Sequence, residues 1–440
     1  MTSSDPLHQL EHDHTDITRL VVSLRHLLDE TTRTNGAADH NEETSMIRLS
    51  MTALVALLPL LCGATSAAAA PPKSTGDELR LTVPPRIYAV AGQELRIDFD
   101  NLVLTTNSEQ YKFTIGRPAA SPTAATADST AARWGTGFPR YWSLKPTARD
   151  VGTHRLNVAV RDAQGKPLAE ATTELHVAPA DAGAGRELAL LIVGDSLTHA
   201  THYPNEWARL LNQPGNPKWT MLGTHKPKNA AEGVAHEGYG GWTWRAFVER
   251  YAPKPEPEKR IHSSPFVFAD AAGKPRLDVG RYIAEKCGGR KPDVVTFLLG
   301  INDCFGAPPA DPTKLDAHID GVFQQADLLL AEFHKVAPEA KLAVCLTTPP
   351  NSREEAFQAN YGDKYTRANW KRIQHRLVQR ELEHFAGREA ESIYVVPTEL
   401  DLDPTDGYPA NNGVHPNPSG YARIAASLHA WLKYQLATKP

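Results

Sequence analysis

Two residues of this 440-residue chain have the types and settings for acyl-transfer chemistry. They are Ser196, in Gly194-Asp-Ser-Leu, and His415, in Asn411-Asn-Gly-Val-His-Pro-Asn. A serine hydroxyl is a weak nucleophile at neutral pH and needs a base within hydrogen-bond reach. An imidazole can take that proton near pH 7 and return it to a leaving alcohol. Two more polar blocks lie between them, His236-Glu-Gly-Tyr-Gly-Gly-Trp-Thr-Trp and Gly300-Ile-Asn-Asp. His236-Glu237 lacks the second histidine of a zinc-protease helix, so no metal is read there. A G-x-S-x-G elbow is missing, which argues against the α/β-hydrolase fold. No phosphate-cradling glycine motif is evident either, and no cofactor is expected.

The elements that would position these residues follow from the apolar pattern. Leu188-Ala-Leu-Leu-Ile-Val, Asp293-Val-Val-Thr-Phe-Leu-Leu, Lys341-Leu-Ala-Val-Cys-Leu and Ser392-Ile-Tyr-Val-Val are candidate buried strands, with Trp219-Thr-Met-Leu a shorter one. Helices are expected over 206–212, 242–251, 315–336, 365–385 and 418–434. Continuous apolar strands alternating with helices imply a parallel sheet covered on both faces. Chemistry in such sheets gathers at the carboxyl ends of the strands. Ser196 follows the first strand, Asn302 follows a later one, and the glycine turn and His415 each precede a helix. All four are expected at one edge of the sheet.

Gly-Asp-Ser-Leu, the glycine turn, Gly-Ile-Asn-Asp and Val-His-Pro resemble, in order, the four sequence blocks of the SGNH (GDSL-type) hydrolases. The likeness covers roughly residues 188–436. It implies an α/β, flavodoxin-like three-layer fold and a serine esterase, with Ser196 as nucleophile and His415 as general base. The resemblance also assigns the oxyanion hole to the Ser196 N–H, a glycine N–H and the Asn302 side chain. The glycine is Gly241, with Gly240 as a close rival. Asp195 and Asp303 are read as loop-organising residues. The family places an aspartate three residues before the histidine, where this chain has Asn412. Three readings stay open: a Ser-His pair oriented by Asn412, an acid supplied from Asp403 or Asp406, or a weakened enzyme. The glycine turn most resembles that of carbohydrate esterases acting on acetylated polysaccharide. Acylated carbohydrate is therefore the expected substrate, with Trp242, Trp244 and Tyr239 as candidate sugar contacts. A catalytically weak carbohydrate-binding protein and a lipid-directed esterase or thioesterase are the alternatives. The insertion over 252–277 is a candidate wall of the cleft.

Residues 78–180 read differently. Leu79-Arg-Leu-Thr-Val, Glu94-Leu-Arg-Ile-Asp-Phe, Tyr111-Lys-Phe-Thr-Ile, His154-Arg-Leu-Asn-Val-Ala-Val and Thr172-Thr-Glu-Leu-His-Val alternate as half-buried strands do. Short strands at this spacing suggest an immunoglobulin-like sandwich, with a long surface loop over 117–133. No obvious aromatic binding strip is visible, which favours a bracing role. Ala178-Pro-Ala-Asp-Ala-Gly-Ala-Gly reads as a linker to the SGNH domain, 187–440.

Ahead of this, Met46-Ile-Arg-Leu-Ser, the apolar run 51–61 and the small residues 64–70 have the layout of a secretory signal peptide. The expectation is a secreted or periplasmic protein. The apolar core is too short for a span of about 20 residues, so no stable membrane span is expected. Residues 1–45 faintly resemble the first helix of a hemerythrin-like protein, with His8 and His12 spaced to share a face. Such a metal site needs facing helices of a bundle, so these residues are read as a polar helical extension whose translation start belongs at Met46. A net charge of −4 gives no reason to expect nucleic acid. Cys62 falls in the leader, which leaves Cys287, Cys304 and Cys345 either with a Cys287–Cys304 disulfide or as three free thiols.

Overall fold

The computed structural model describes residues 79–118, 134–254 and 262–438. The described residues fall within one compact unit. The expected N-terminal helix and leader lie outside the described residues, as does most of the 117–133 loop.

The first described strands are β1 (Arg86–Val90), β2 (Leu95–Asp98), β3 (Lys112–Gly116), β4 (Thr136–Gly137), β5 (Tyr141–Leu144), β6 (Gly152–Arg161) and β7 (Pro167–Ala178), with one helical turn, α1 (Phe99–Leu102). They make two sheets, β1-β7-β6-β3 and β2-β5-β4. Ile87, Ile97, Trp142, Leu156, Val158 and Leu175 share one apolar core. The stretch beginning at Leu79, expected as a strand, makes only an isolated bridge between Leu81 and Val103. β1 was not foreseen. It pairs in parallel with β7 and buries four of its five residues, so no alternation marks it.

The second region begins with β8 (Glu187–Gly194), α2 (Ser196–His199), α3 (His202–Leu211), β9 (Lys218–Leu222), β10 (Glu237–Gly238) and α4 (Trp244–Glu249). A hairpin of β11 (Val267–Ala269) and β12 (Pro275–Leu277) leads to α5 (Val279–Lys286), β13 (Val294–Leu298), α6 (Ile301–Cys304) and α7 (Pro312–Val336). The chain ends through β14 (Lys341–Cys345), α8 (Glu354–Tyr361), α9 (Arg367–Phe385), β15 (Ile393–Val396) and α10 (Pro418–Ala437). The sheet order is β10-β8-β13-β14-β15 with β9 also on β8, and every pairing is parallel. β9 pairs with the first half of β8 and β10 with its end, on the edge opposite β13. The near-continuous apolar runs of β8, β13 and β14 are buried, as a sheet covered on both faces requires.

The two regions are fastened by polar contacts. The Asn101 side chain donates to the carbonyls of Glu399 (2.7 Å) and Leu402 (2.9 Å), and the Asp98 N–H donates to Leu400 O at 3.0 Å. Leu400, 1% exposed, completes the apolar core of the β-rich region. The stretch expected as a linker is tied down as well. Ala182 is buried, and its carbonyl accepts the Lys433 ammonium, which also donates to Gly215 O.

Candidate active site

Ser196 begins α2, directly after the end of β8. Asp195 caps this turn, its Oδ1 accepting the Leu197 N–H at 2.9 Å. The strand-to-helix corner is tight: a Cβ on Gly194 would lie 1.9 Å from Thr198 Oγ1 and 2.9 Å from Leu298 O. His415 reaches the serine from the loop before α10, a helix started by Pro418 and capped by the Asn417 side chain. The Ser196 Oγ and His415 Nε2 are 2.8 Å apart, and His415 Nδ1 lies 3.1 Å from Asn412 Oδ1. The Asn412 Oδ1 also accepts the N–H groups of Val414 (3.1 Å) and His415 (2.9 Å), which fixes that atom as the carbonyl oxygen. An amide oxygen only accepts, so Nδ1 carries the ring proton and Nε2 is left to accept from Ser196 Oγ–H.

Neither candidate acid reaches His415. Asp403 accepts from Arg96, Arg140 and the N–H groups of Thr405 and Asp406, while Asp406 pairs with Arg140. The reading with an acid from Asp403 or Asp406 is therefore corrected in favour of Asn412. Burial alone shifts His415, and it lowers the pKa.

The glycine turn stands beside Gly194, whose carbonyl accepts the Tyr239 N–H at 3.0 Å. The Trp242 N–H returns to Tyr239 O at 3.2 Å, and Gly241 has φ +79°, as the third position of a type II turn requires. Within the described chain the N–H groups of Ser196 and Gly241 donate to no other group. Asn302 is different. Its Nδ2 donates to Trp242 O at 3.0 Å and to Asp195 Oδ2 at 3.2 Å. Asp303 accepts the Trp244 N–H. Burial pushes the carboxyls of Asp195 and Asp303 up to about 7 each.

Trp242 corrects an expectation. It is 2% exposed, packed with Tyr239, Phe247 and His262, and offers no open ring face to a sugar. Trp244 is buried too, against Phe297. Tyr239 is half-buried, its hydroxyl donating to Glu237 Oε2 at 2.5 Å. Cys287, Cys304 and Cys345 are free thiols, so Cys287 and Cys304 form no disulfide.

Two supporting residues escaped sequence reasoning. Glu237 is fully buried beneath the turn and accepts from Thr224, Tyr239 and Tyr282. Asn351, also fully buried, donates through its side chain to Pro409 O (2.8 Å) and Asn412 O (2.9 Å), and its N–H donates to Gly413 O. It clamps the loop that carries His415. The only trace of Glu237 was its place in the Glu-Gly-x-x-Gly-Trp stretch; Asn351 had none.

The model of the GDSL-like lipase/acylhydrolase family matches residues 192–423, more than half of the chain. The chain belongs to this family. It is thus an SGNH/GDSL-type ester hydrolase, with a parallel-sheet α/β fold. No curated protein matches the sequence. Among solved structures it is similar to a family 3 carbohydrate esterase of Clostridium thermocellum, at 18% identity and a TM-score of 0.36, covering 57% of this chain and all of the other. A family 3 carbohydrate esterase from Talaromyces cellulolyticus matches at 18% identity and a TM-score of 0.35, covering 57% and 98%. A putative arylesterase from Agrobacterium tumefaciens matches at 18% and 0.32, covering 56% and 98%.

Proposed function

We propose that this hydrolase removes acyl groups, acetyl foremost, from carbohydrate through a covalent intermediate on Ser196. The observation that carries the mechanism is the line from Ser196 Oγ through His415 to Asn412 Oδ1. Ser196 Oγ attacks the ester carbonyl as its proton passes to His415 Nε2. The oxyanion is met by the N–H groups of Ser196 and Gly241. Asn302 joins them by releasing its longer bond, to Asp195. Fixed donors of this kind are each worth about 2.7–4 kcal/mol. The tetrahedral species collapses, the sugar hydroxyl leaves with the proton from His415, and water repeats the sequence to free the acid and restore Ser196. No metal or cofactor takes part in this scheme.

The choice of carbohydrate rests on the Glu237-Gly-Tyr-Gly-Gly-Trp turn and its resemblance to carbohydrate esterases. Residues 78–180 are read with it as an immunoglobulin-like bracing domain ahead of the hydrolase domain, 187–440. Export by a leader beginning at Met46 completes the reading. Among the described residues no helix is long and apolar enough to cross a membrane.

The test is acetate release from acetylated xylan and from p-nitrophenyl acetate, with organophosphorus labelling. Ser196→Ala should abolish labelling and lower turnover by about three orders of magnitude or more. A folded wild-type chain that neither turns over esters nor takes the label would overturn the esterase mechanism in favour of a carbohydrate-binding protein. Activity on long-chain esters alone would redirect the substrate to lipid.

A further inference from the structure

Gly240 and Gly241 have no side chains, so the turn that offers the Gly241 N–H has little grip of its own. On the side where a Cβ of Gly241 would lie, nothing stands within 4 Å. The place of the turn is therefore set from its ends, Tyr239 and Trp242. Trp242 is stacked on His262, and its carbonyl accepts the Asn302 amide. Tyr239 is held by its backbone bonds to Gly194 and Trp242, by the rings of Trp242 and His262, and by its hydroxyl bond to Glu237.

That last bond leads to a carboxylate with an uncommon set of partners. Glu237 is fully buried, and four donors meet it, two on each oxygen. Its Oε1 accepts the Thr224 N–H at 2.6 Å and the Tyr282 hydroxyl at 2.8 Å. Its Oε2 accepts the Thr224 hydroxyl at 3.0 Å and the Tyr239 hydroxyl at 2.5 Å. A carboxylate offers about four such sites, and all are taken. Burying a carboxyl is costlier than burying an apolar side chain of similar size, so packing alone does not account for this one. The donors come from three elements: the loop after β9, helix α5 and the turn itself. The Glu237 backbone lies in β10, opposite Val193 at the end of β8, three residues before Ser196. The bond to Tyr239 thus ties the turn to the strand that carries the nucleophile.

We propose that Glu237 is a positioning residue for ester hydrolysis: through the Tyr239 hydroxyl it sets where the Gly241 N–H and the Asn302 amide stand relative to Ser196. The inference rests on the oxyanion reading above and adds what holds those donors in place. A misplacement of about 1 Å can cost about 100-fold in rate.

The test compares wild type, Glu237→Gln, Tyr239→Phe and Tyr282→Phe as full chains. The substrates are p-nitrophenyl acetate and its thiono analogue, in which C=S replaces the carbonyl, each rate being divided by that with hydroxide ion. Neither carries a sugar, so loss of a sugar contact cannot enter. Sulfur is larger than oxygen and a poorer hydrogen-bond acceptor, so well-placed donors favour the oxygen ester. Tyr239→Phe keeps the ring and removes only the hydroxyl. It and Glu237→Gln should lower kcat on the oxygen ester about 10- to 100-fold, with KM little changed. Both should also cut the preference for oxygen over sulfur by about tenfold or more. Tyr282→Phe takes a bond from the same carboxylate but none from the turn, and should keep the wild-type preference. A folded Tyr239→Phe chain with wild-type kcat and preference overturns the proposal, as does an equal fall of preference in Tyr282→Phe. A wild-type chain that hydrolyses both esters without favouring oxygen overturns the oxyanion reading itself, and the inference with it.

Discussion

The surroundings of His415 and the junction between the two sheet regions use opposite electrostatics. Around His415 the oriented partner is an amide, and burial, unrelieved by a nearby carboxylate, holds the imidazole below its usual range. At the junction, Asp98, Asp401 and Asp403 crowd against Arg96, Arg140 and Arg423. Ionisable groups crowd together where the halves are fastened, whereas His415 Nδ1 faces an amide. Asn412 supplies direction to the imidazole, whereas an aspartate would supply direction and charge. In the serine-protease triad, the Asp→Asn exchange costs about 10⁴ in rate because the ring takes the wrong tautomer. Here two backbone N–H groups pin the Asn412 oxygen toward His415, so the productive tautomer is kept.

Four experiments break or sharpen that contrast. Arg96→Ala should cost the most, about 3 kcal/mol or more of unfolding free energy, because it removes the side chain that bonds both Asp98 and Asp403 and packs on Tyr141. Denaturant titration measures it, and turnover per folded molecule should hold; a drop in turnover would mean the junction's charge does reach the base. Asn351→Ala should lower kcat about 10- to 100-fold, ~1.4–2.7 kcal/mol, with KM little changed, by freeing the 409–413 loop. A change confined to stability would reduce Asn351 to packing.

Asn412→Asp should come next. A carboxylate on Nδ1 favours imidazolium, so the acid limb of the kcat/KM profile should move up by about one pH unit. In the wild-type chain that limb should lie below the ordinary histidine value, because burial favours the neutral ring. An unmoved limb would show that another group already charges the site.

The smallest effect concerns Asp401, whose carboxyl burial pushes up to about 7. Its folded-state pKa exceeds the unfolded one, so its contribution to stability is full below about pH 4 and is lost as pH rises toward 7. Asp401→Asn keeps an acceptor for the Arg96 N–H without titrating. The difference in unfolding free energy, variant minus wild type, should therefore climb by about 1 kcal/mol or more between pH 4 and 7. A flat difference would show that Arg96 and Arg423 already neutralise the group.

The same contrast marks how far the sequence could be read. The hydrolase strands were legible because both faces are buried, giving unbroken runs such as Leu188 to Val193. Ser196, Asn302, the glycine turn and His415 were legible because each sits at a strand end or helix start. What closes the site was not. Asn351 lies in an aperiodic Thr-Thr-Pro-Pro-Asn-Ser stretch, and its partners come from 58 and 61 residues further on. The rejection of Asp403 turned on Arg96 and Arg140, residues of the other region. The aromatic pair Phe138 and Tyr141 was missed for a similar reason: spaced three apart around a Pro-Arg turn, it forms a patch only once β5 is in place.

Leu400 has a consequence for the order of events during synthesis. It fills the core of the β-rich region, and Asn101 is bonded to carbonyls on either side of it, 298 and 301 residues downstream. The interior of these earlier sheets is therefore complete only once residue 402 has been made. Domains usually close in the order they are made. Here the core of the earlier region takes one of its side chains, Leu400, from the later one.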